Sequence, residues 1–158
     1  MGWLARFNAA SAEEAERELG GCCASPAWTR AVAGGRPYSG AVELLAAADG
    51  VFAALTWTDI TQALAAHPRI GERTEGASAR EQAGVADRER AALETANREY
   101  EQRFGHVFLI RASGRTGEEM LAALDARLGN DEETERSVVR DELRAITRLR
   151  LERLVSPQ

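Results

Sequence analysis

The sequence holds two histidines, and one of them, His67, opens the stretch HPRIGER directly before Pro68. An imidazole changes charge nearer neutrality than any other unperturbed side chain, so a histidine between a helix end and a loop is a candidate for proton transfer. The same position has a purely structural use, because a protonated histidine at a helix C-terminus is favoured by about 0.3–1 kcal/mol through the helix dipole. Ser78, Glu81 and Gln82 form a second group. The S-x-x-E spacing is that of a capping box, and the first turn of the helix it opens exposes N–H groups able to hold an anionic or carbonyl oxygen. Arg150 is the third candidate. On the last helix Val139, Leu143, Ile146 and Leu154 share one face, and at about 100° per residue Arg150 falls inside that stripe. A guanidinium there stays charged and needs a carboxylate, from the protein or from a ligand. An inward arginine, a helix N-terminus with an amide side chain beside it and a histidine at a cleft edge together describe a small pocket for a polar, carboxylated molecule.

Several other chemistries have no residues to carry them. All 20 basic residues are arginine, so a Schiff-base or pyridoxal-lysine mechanism is excluded. Cys22 and Cys23 are adjacent, lack C-x-x-C spacing and read as reduced thiols; with His67 and His106 far apart, no metal site is expected. A formal net charge of −5 with both signs mixed along the chain gives no basic stripe for a nucleic acid. No run approaches the ~18 apolar residues of a membrane span, and the N-terminus lacks the apolar core of a secretory signal. The expectation is a cytoplasmic protein with neither a nucleic-acid nor a membrane partner.

The elements that must position these residues read as helices. At 158 residues, 44% hydrophobic and 6% aromatic, with abundant alanine, glutamate and arginine, the chain suits one domain, residues 1–158, built on Ala/Leu seams. Ser11 with Glu14 opens a helix that Gly20 and Gly21 close, and Ser25 with Pro26 opens another running to Gly34 and Gly35. A longer apolar helix follows Ser39. Thr58 is placed to cap the helix that carries Ile60 and Leu64 up to His67, where Pro68 ends it. Ser78 and Glu81 precede a long helix with Val85, Leu93, Ala96, Tyr100 and Phe104 at three- and four-residue steps, stopped by Gly105. The short apolar run His106–Ile110 reads as an extended buried segment. Thr116 with Glu119 begins a helix that lasts until Gly129, and the final helix covers about Glu132–Leu154. No strand pattern is long enough for a sheet, so the fold class is all-α, with seven or eight helices.

The motifs HPRIGE, SAREQ, NREYEQRFGHVFLIRASGR and ITRLRL occur in the order and approximate spacing found in 2-oxo-4-hydroxy-4-carboxy-5-ureidoimidazoline (OHCU) decarboxylases, and CCASPAW resembles that family's early cysteine-serine-tryptophan element. The resemblance covers nearly the whole chain. It implies an all-helical carboxy-lyase of urate breakdown that needs no cofactor and converts OHCU to (S)-allantoin. Carried over by motif, it implies His67 and Glu81 as catalytic residues. It implies Pro68, Ser78, Gln82, Arg150 and the segment Phe108, Leu109 and Ile110 as the substrate-binding set, the last three through backbone groups. It also implies a homodimer. Two other readings predict different things: a helical interaction module would carry an exposed apolar groove, and a cofactor-free hydrolase or tautomerase of a related cyclic ureide would release no carbon dioxide.

Overall fold

Ser11, Ser25 and Thr116 each accept a hydrogen bond from the backbone N–H three residues on, and each starts a helix. Such caps satisfy donors that the first helical turn leaves without partners. At Thr116 the exchange is reciprocal, because Glu119 also accepts from the Thr116 N–H. The computed structural model describes residues 2–71 and 87–156. Within them lie eight helices: α1 (Trp3–Ala9), α2 (Ala12–Gly20), α3 (Pro26–Gly34), α4 (Ala41–Ala53), α5 (Trp57–Leu64), α6 (Asp87–Phe104), α7 (Gly117–Arg127) and α8 (Glu132–Val155). No described residue belongs to a β-strand. The fold is all-α.

The chain gathers into two units, one of Met1–Ala63 with Arg144–Gln158 and one of Leu64–Leu143, so α8 contributes to both. In the first, α2 buries Ala15 and Leu19, and α3 buries Trp28, Val32 and Ala33 at helical spacing. The Trp28 indole N–H donates to the Ala48 carbonyl of α4 at 3.0 Å, which satisfies the one polar atom of a fully buried ring. Asn8 and Tyr38 exchange two hydrogen bonds of 2.9 Å, and the Tyr38 hydroxyl reaches the Val32 carbonyl. A Cβ at Gly35 would collide with that hydroxyl, so any other residue there would force Tyr38 to shift.

In the second unit Leu93, Ala96 and Tyr100 of α6 pack with Met120 and Leu124 of α7 and with Ile70, Phe108 and Ile110. The latter three come from segments without regular secondary structure. Phe104 and Gly105 end α6, Gly105 taking a φ of +80° that favours glycine. The residues that follow run as a non-helical segment, half-buried at His106 and Val107 and buried from Phe108 to Ile110, where the sequence pattern of His106–Ile110 predicts a buried extended run.

Two boundaries differ from the sequence reading. Thr56, not Thr58, caps α5: its hydroxyl accepts from the Asp59 N–H at 3.1 Å while Asp59 accepts from the Thr56 N–H at 2.9 Å. This reciprocal pair with the shorter aspartate moves the start two residues upstream. The helix also ends earlier, at Leu64, and His67 closes the following turn through its N–H to the Leu64 carbonyl at 3.0 Å. His67 is therefore a turn residue, three positions beyond the last helical one.

Candidate active site

Four contacts from α6 and its neighbourhood hold the stretch that begins with His67. Ile70 is 6% exposed and sinks into the core of the second unit. Its carbonyl accepts from the buried Asn97 side chain at 2.9 Å. Arg69 makes a two-pronged pair with Glu101, at 2.7 and 2.8 Å. The Gly71 carbonyl accepts from Arg90, and Gly71 has a φ of +96°, where a β-carbon would be strained. The chain between His67 and Gly71 thus has its geometry imposed by side chains of one helix. His67 and Pro68 are both half-buried. Arg69, Ile70, Gly71, Arg90, Glu94, Asn97 and Arg98 line a hollow of about 430 Å³ beside this stretch.

Phe108, Leu109 and Ile110 are 1–3% exposed. The Leu109 carbonyl accepts from Arg127 Nη1 at 2.7 Å, and the Arg127 guanidinium lies 4.4 Å from the centre of the Phe108 ring. Tyr100 meets Phe108 edge to face, with centroids 5.2 Å apart. Arg127 in turn is held by Glu135, through Nη2 to Oε2 at 2.5 Å and Nε to Oε2 at 2.9 Å. Tyr100 donates its hydroxyl to the same carboxylate. Burial, with the Glu135 carboxylate next to it, raises the Tyr100 pKa well above that of an ordinary phenol. His106, the other histidine, has Nδ1 3.0 Å from the Val107 carbonyl and its ring 5.5 Å from that of Tyr100, a packing role.

Arg150 belongs to the first unit. It is half-exposed at the edge of the apolar face of α8, whose buried positions there are Ile146, Thr147 and Leu151, so the fully inward placement read from the helical wheel is corrected. Its Nη1 donates to the Gly21 carbonyl at 3.4 Å, at the turn that precedes Cys22 and Cys23. Both cysteines are buried and free of disulfides. Burial pushes the Cys22 thiol up to about 12 against the opposing pull of Arg150, and the Cys23 thiol is raised by burial as well. Protonated, desolvated thiols are poor nucleophiles and poor metal ligands. Ser78, Glu81 and Gln82 lie outside the described residues. Among the described residues no cluster of three or more histidine, cysteine or acidic side chains is disposed to bind a metal ion.

Arg127 and Glu135 were not anticipated from the sequence. A signal existed: Arg127 follows Met120 and Leu124 by seven and three residues, and Glu135 precedes Val139 by four, so both fall on apolar helix faces. It is the test that singled out Arg150, and these two residues meet it with deeper burial.

The described residues thus present a histidine-proline turn braced by one helix and a buried non-helical strip clamped by an arginine. The family model for OHCU decarboxylase matches residues 8–152, and the chain belongs to the OHCU decarboxylase family, a family of carboxy-lyases. It is 32% identical over 156 residues to the uric acid degradation bifunctional protein TTL of Arabidopsis thaliana, an alignment covering 91% of this chain and 48% of that protein. The chain therefore spans about half the length of this plant relative. It is 34% identical over 123 residues to 2-oxo-4-hydroxy-4-carboxy-5-ureidoimidazoline decarboxylase of Haloferax volcanii, covering 73% of each. The crystal structure of OHCU decarboxylase in the presence of (S)-allantoin superimposes with a TM-score of 0.81 at 31% identity, covering 89% of this chain and 98% of that one. The crystal structure of (S)-allantoin synthase, at 19% identity and a TM-score of 0.70, shares the fold.

Proposed function

We propose that this protein decarboxylates OHCU to (S)-allantoin without a cofactor. The observation that carries this reading is the likeness, along 98% of its chain, to the OHCU decarboxylase solved in the presence of (S)-allantoin. The family match from residue 8 to residue 152 crosses both units, which supports reading residues 1–158 as one decarboxylase domain. The interaction-module alternative needs an exposed apolar groove; among the described residues the one large hydrophobic side chain in the open is Val42.

In the reaction the C–C bond to the substrate carboxylate breaks and carbon dioxide leaves. The electron pair passes into the conjugated imine and carbonyl of the ring, and one proton is returned to a single face. His67 is the proton-transfer residue, exchanging with the substrate hydroxyl or with the nascent carbanion, a role worth about 10²–10⁴ in rate. Its turn is braced by Asn97, Arg69 and Arg90, so the imidazole starts from a fixed backbone. Glu81 and Gln82 clamp the ring and ureido nitrogens, with Ser78 beside them. Glu81 carries the catalytic assignment jointly with His67. Arg150 binds the anionic substrate, Pro68 lines the pocket, and backbone groups of Phe108, Leu109 and Ile110 help hold the substrate.

The test supplies freshly generated OHCU and follows (S)-allantoin by circular dichroism. His67→Asn keeps the shape and removes proton transfer, so its kcat falls by about 10²–10⁴ with the fold unchanged. Near-normal formation of (S)-allantoin by that variant would take the histidine out of the mechanism, and racemic product at the uncatalysed rate from the wild type would refute the activity itself.

A further inference from the structure

One densely hydrogen-bonded buried ion pair among the described residues of the second unit has no part in the reaction as proposed above. Glu135 is fully buried and Arg127 is 7% exposed. Glu135 Oε2 accepts from Arg127 Nε, from Arg127 Nη2 and from the Tyr100 hydroxyl, while Oε1 accepts from Asn130 Nδ2 at 3.1 Å. With Nε and Nη2 committed to the carboxylate, the remaining arm, Nη1, points at one target, the Leu109 carbonyl. The guanidinium covers the Phe108 ring as it does so. Buried ion pairs are commonly no better for stability than apolar residues of the same volume. What this pair does that an apolar pair cannot is fix a carbonyl.

Fixing that carbonyl fixes more than one atom. The peptide linking Leu109 to Ile110 is planar and trans, so with its C=O pulled towards Arg127 its N–H is directed the opposite way. Among the described residues, none accepts a hydrogen bond from the N–H groups of Phe108, Leu109 or Ile110, although all three residues are buried. Buried backbone donors are nearly always satisfied, by protein, by ordered water or by a ligand.

We infer that Arg127, locked by Glu135, is a positioning residue of the active site: it holds the Leu109–Ile110 peptide plane so that the Ile110 N–H is presented to an oxygen of the bound ureide. This rests on the decarboxylase reading given above and adds to it the device that sets the strip's geometry. Two consequences separate positioning from mere support. Lysine at 127 keeps the charge opposite Glu135 but has no fork to span the carboxylate and the Leu109 carbonyl together. The double replacement Arg127→Met with Glu135→Leu removes the charges in step and keeps the volume, so the helices stay packed while the carbonyl is released.

The experiment measures KM and kcat for OHCU, with thermal unfolding alongside, for the wild type, Arg127→Lys, the Arg127→Met/Glu135→Leu double variant, and Val32→Ala as a core change in the other unit. Misplacing a binding group by even 1 Å can cost about 10²-fold, so kcat/KM should fall by about 10- to 100-fold in both Arg127 variants. Most of the loss should lie in KM, while Val32→Ala loses stability and keeps its KM. Folded Arg127→Lys or double variant with the wild-type KM and kcat would overturn the inference even if the wild type is active. A wild type that makes no (S)-allantoin above the uncatalysed rate would instead overturn the functional reading on which it rests.

Discussion

Helix α8 carries one member of each of two arginine–carboxylate pairs, and their surroundings are opposite. Glu135, near its start, meets Arg127 with the two side chains 0% and 9% exposed. Arg144, in its middle, meets Asp49 in a two-pronged pair with the side chains 45% and 35% exposed. On distance alone the pairs look alike, at 2.5 Å each. The difference lies in what replaces water. Around Glu135 the protein supplies Tyr100, Asn130 and three contacts from Arg127, because a buried charge short of partners is costly. Around Asp49 solvent does much of that work, and the pair adds little. A short ion pair therefore says where a side chain is, and its burial says what removing it would do.

The largest effect expected from breaking this contrast is at Glu135. Glu135→Ala leaves the Arg127 guanidinium buried without its carboxylate, and the loss should be about 3–5 kcal/mol in urea unfolding. The double variant Arg127→Met/Glu135→Leu should recover the part of that loss that comes from the uncompensated charge, while the cost of the Tyr100 hydroxyl and Leu109 carbonyl left without these partners remains. If the single and double variants are equally unstable, the cost comes from packing and not from charge. Next in size is Tyr100→Phe, which removes a neutral donor to a charged acceptor and should cost about 1.5–3 kcal/mol. The sign of its pH dependence follows from the raised phenol pKa. The contribution is complete below the ordinary value of 10 and declines as the pH climbs above it, because the unfolded phenol ionises first. Unfolding curves for wild type and Tyr100→Phe should therefore converge in alkali. Parallel curves up to pH 11 would mean that Tyr100 is not held in its neutral form by burial beside Glu135.

The same contrast explains what could be read from the chain alone. Helix starts at Ser11, Ser25 and Thr116 were legible because a cap is a local event, settled by residues three apart. The start of α5 was misplaced by two residues since Thr56–Asp59 and Thr58 compete locally and only the geometry of the turn decides. The His67 turn was legible from proline chemistry, but its bracing was not: Asn97 and Glu101 lie 27 and 32 residues from their partners Ile70 and Arg69. Arg150 and Arg127 show the limit most clearly. Both sit near apolar helical stripes, and a helical wheel places an arginine to within a face without telling whether it lies in the middle or at the edge. Arg127 proved to be the buried one and Arg150 the half-exposed one, a distinction made by which elements pack over each face. Ser78, Glu81 and Gln82, named on the strength of their capping-box spacing and family motif, remain assignments from sequence.

Asp49→Asn probes the weak side of the comparison and should have the smallest effect. The Arg144 hydrogen bond, with the charge attraction that accompanies it, holds the Asp49 carboxyl below its ordinary value near 3.8. A depressed carboxyl pKa stabilises the folded state above the unfolded value and loses that contribution as the pH falls through the folded one. At neutral pH the substitution should cost no more than about 1 kcal/mol, the usual ceiling for an exposed pair, and less at high salt, where exposed charges are screened. Below pH 3.8 the gap between wild type and Asp49→Asn should close. A gap as wide as that for Glu135→Ala, indifferent to salt, would show that Asp49 is sealed from water when the protein is in solution. Burial, and not the chemistry of the pair, would then no longer separate the two ends of this comparison.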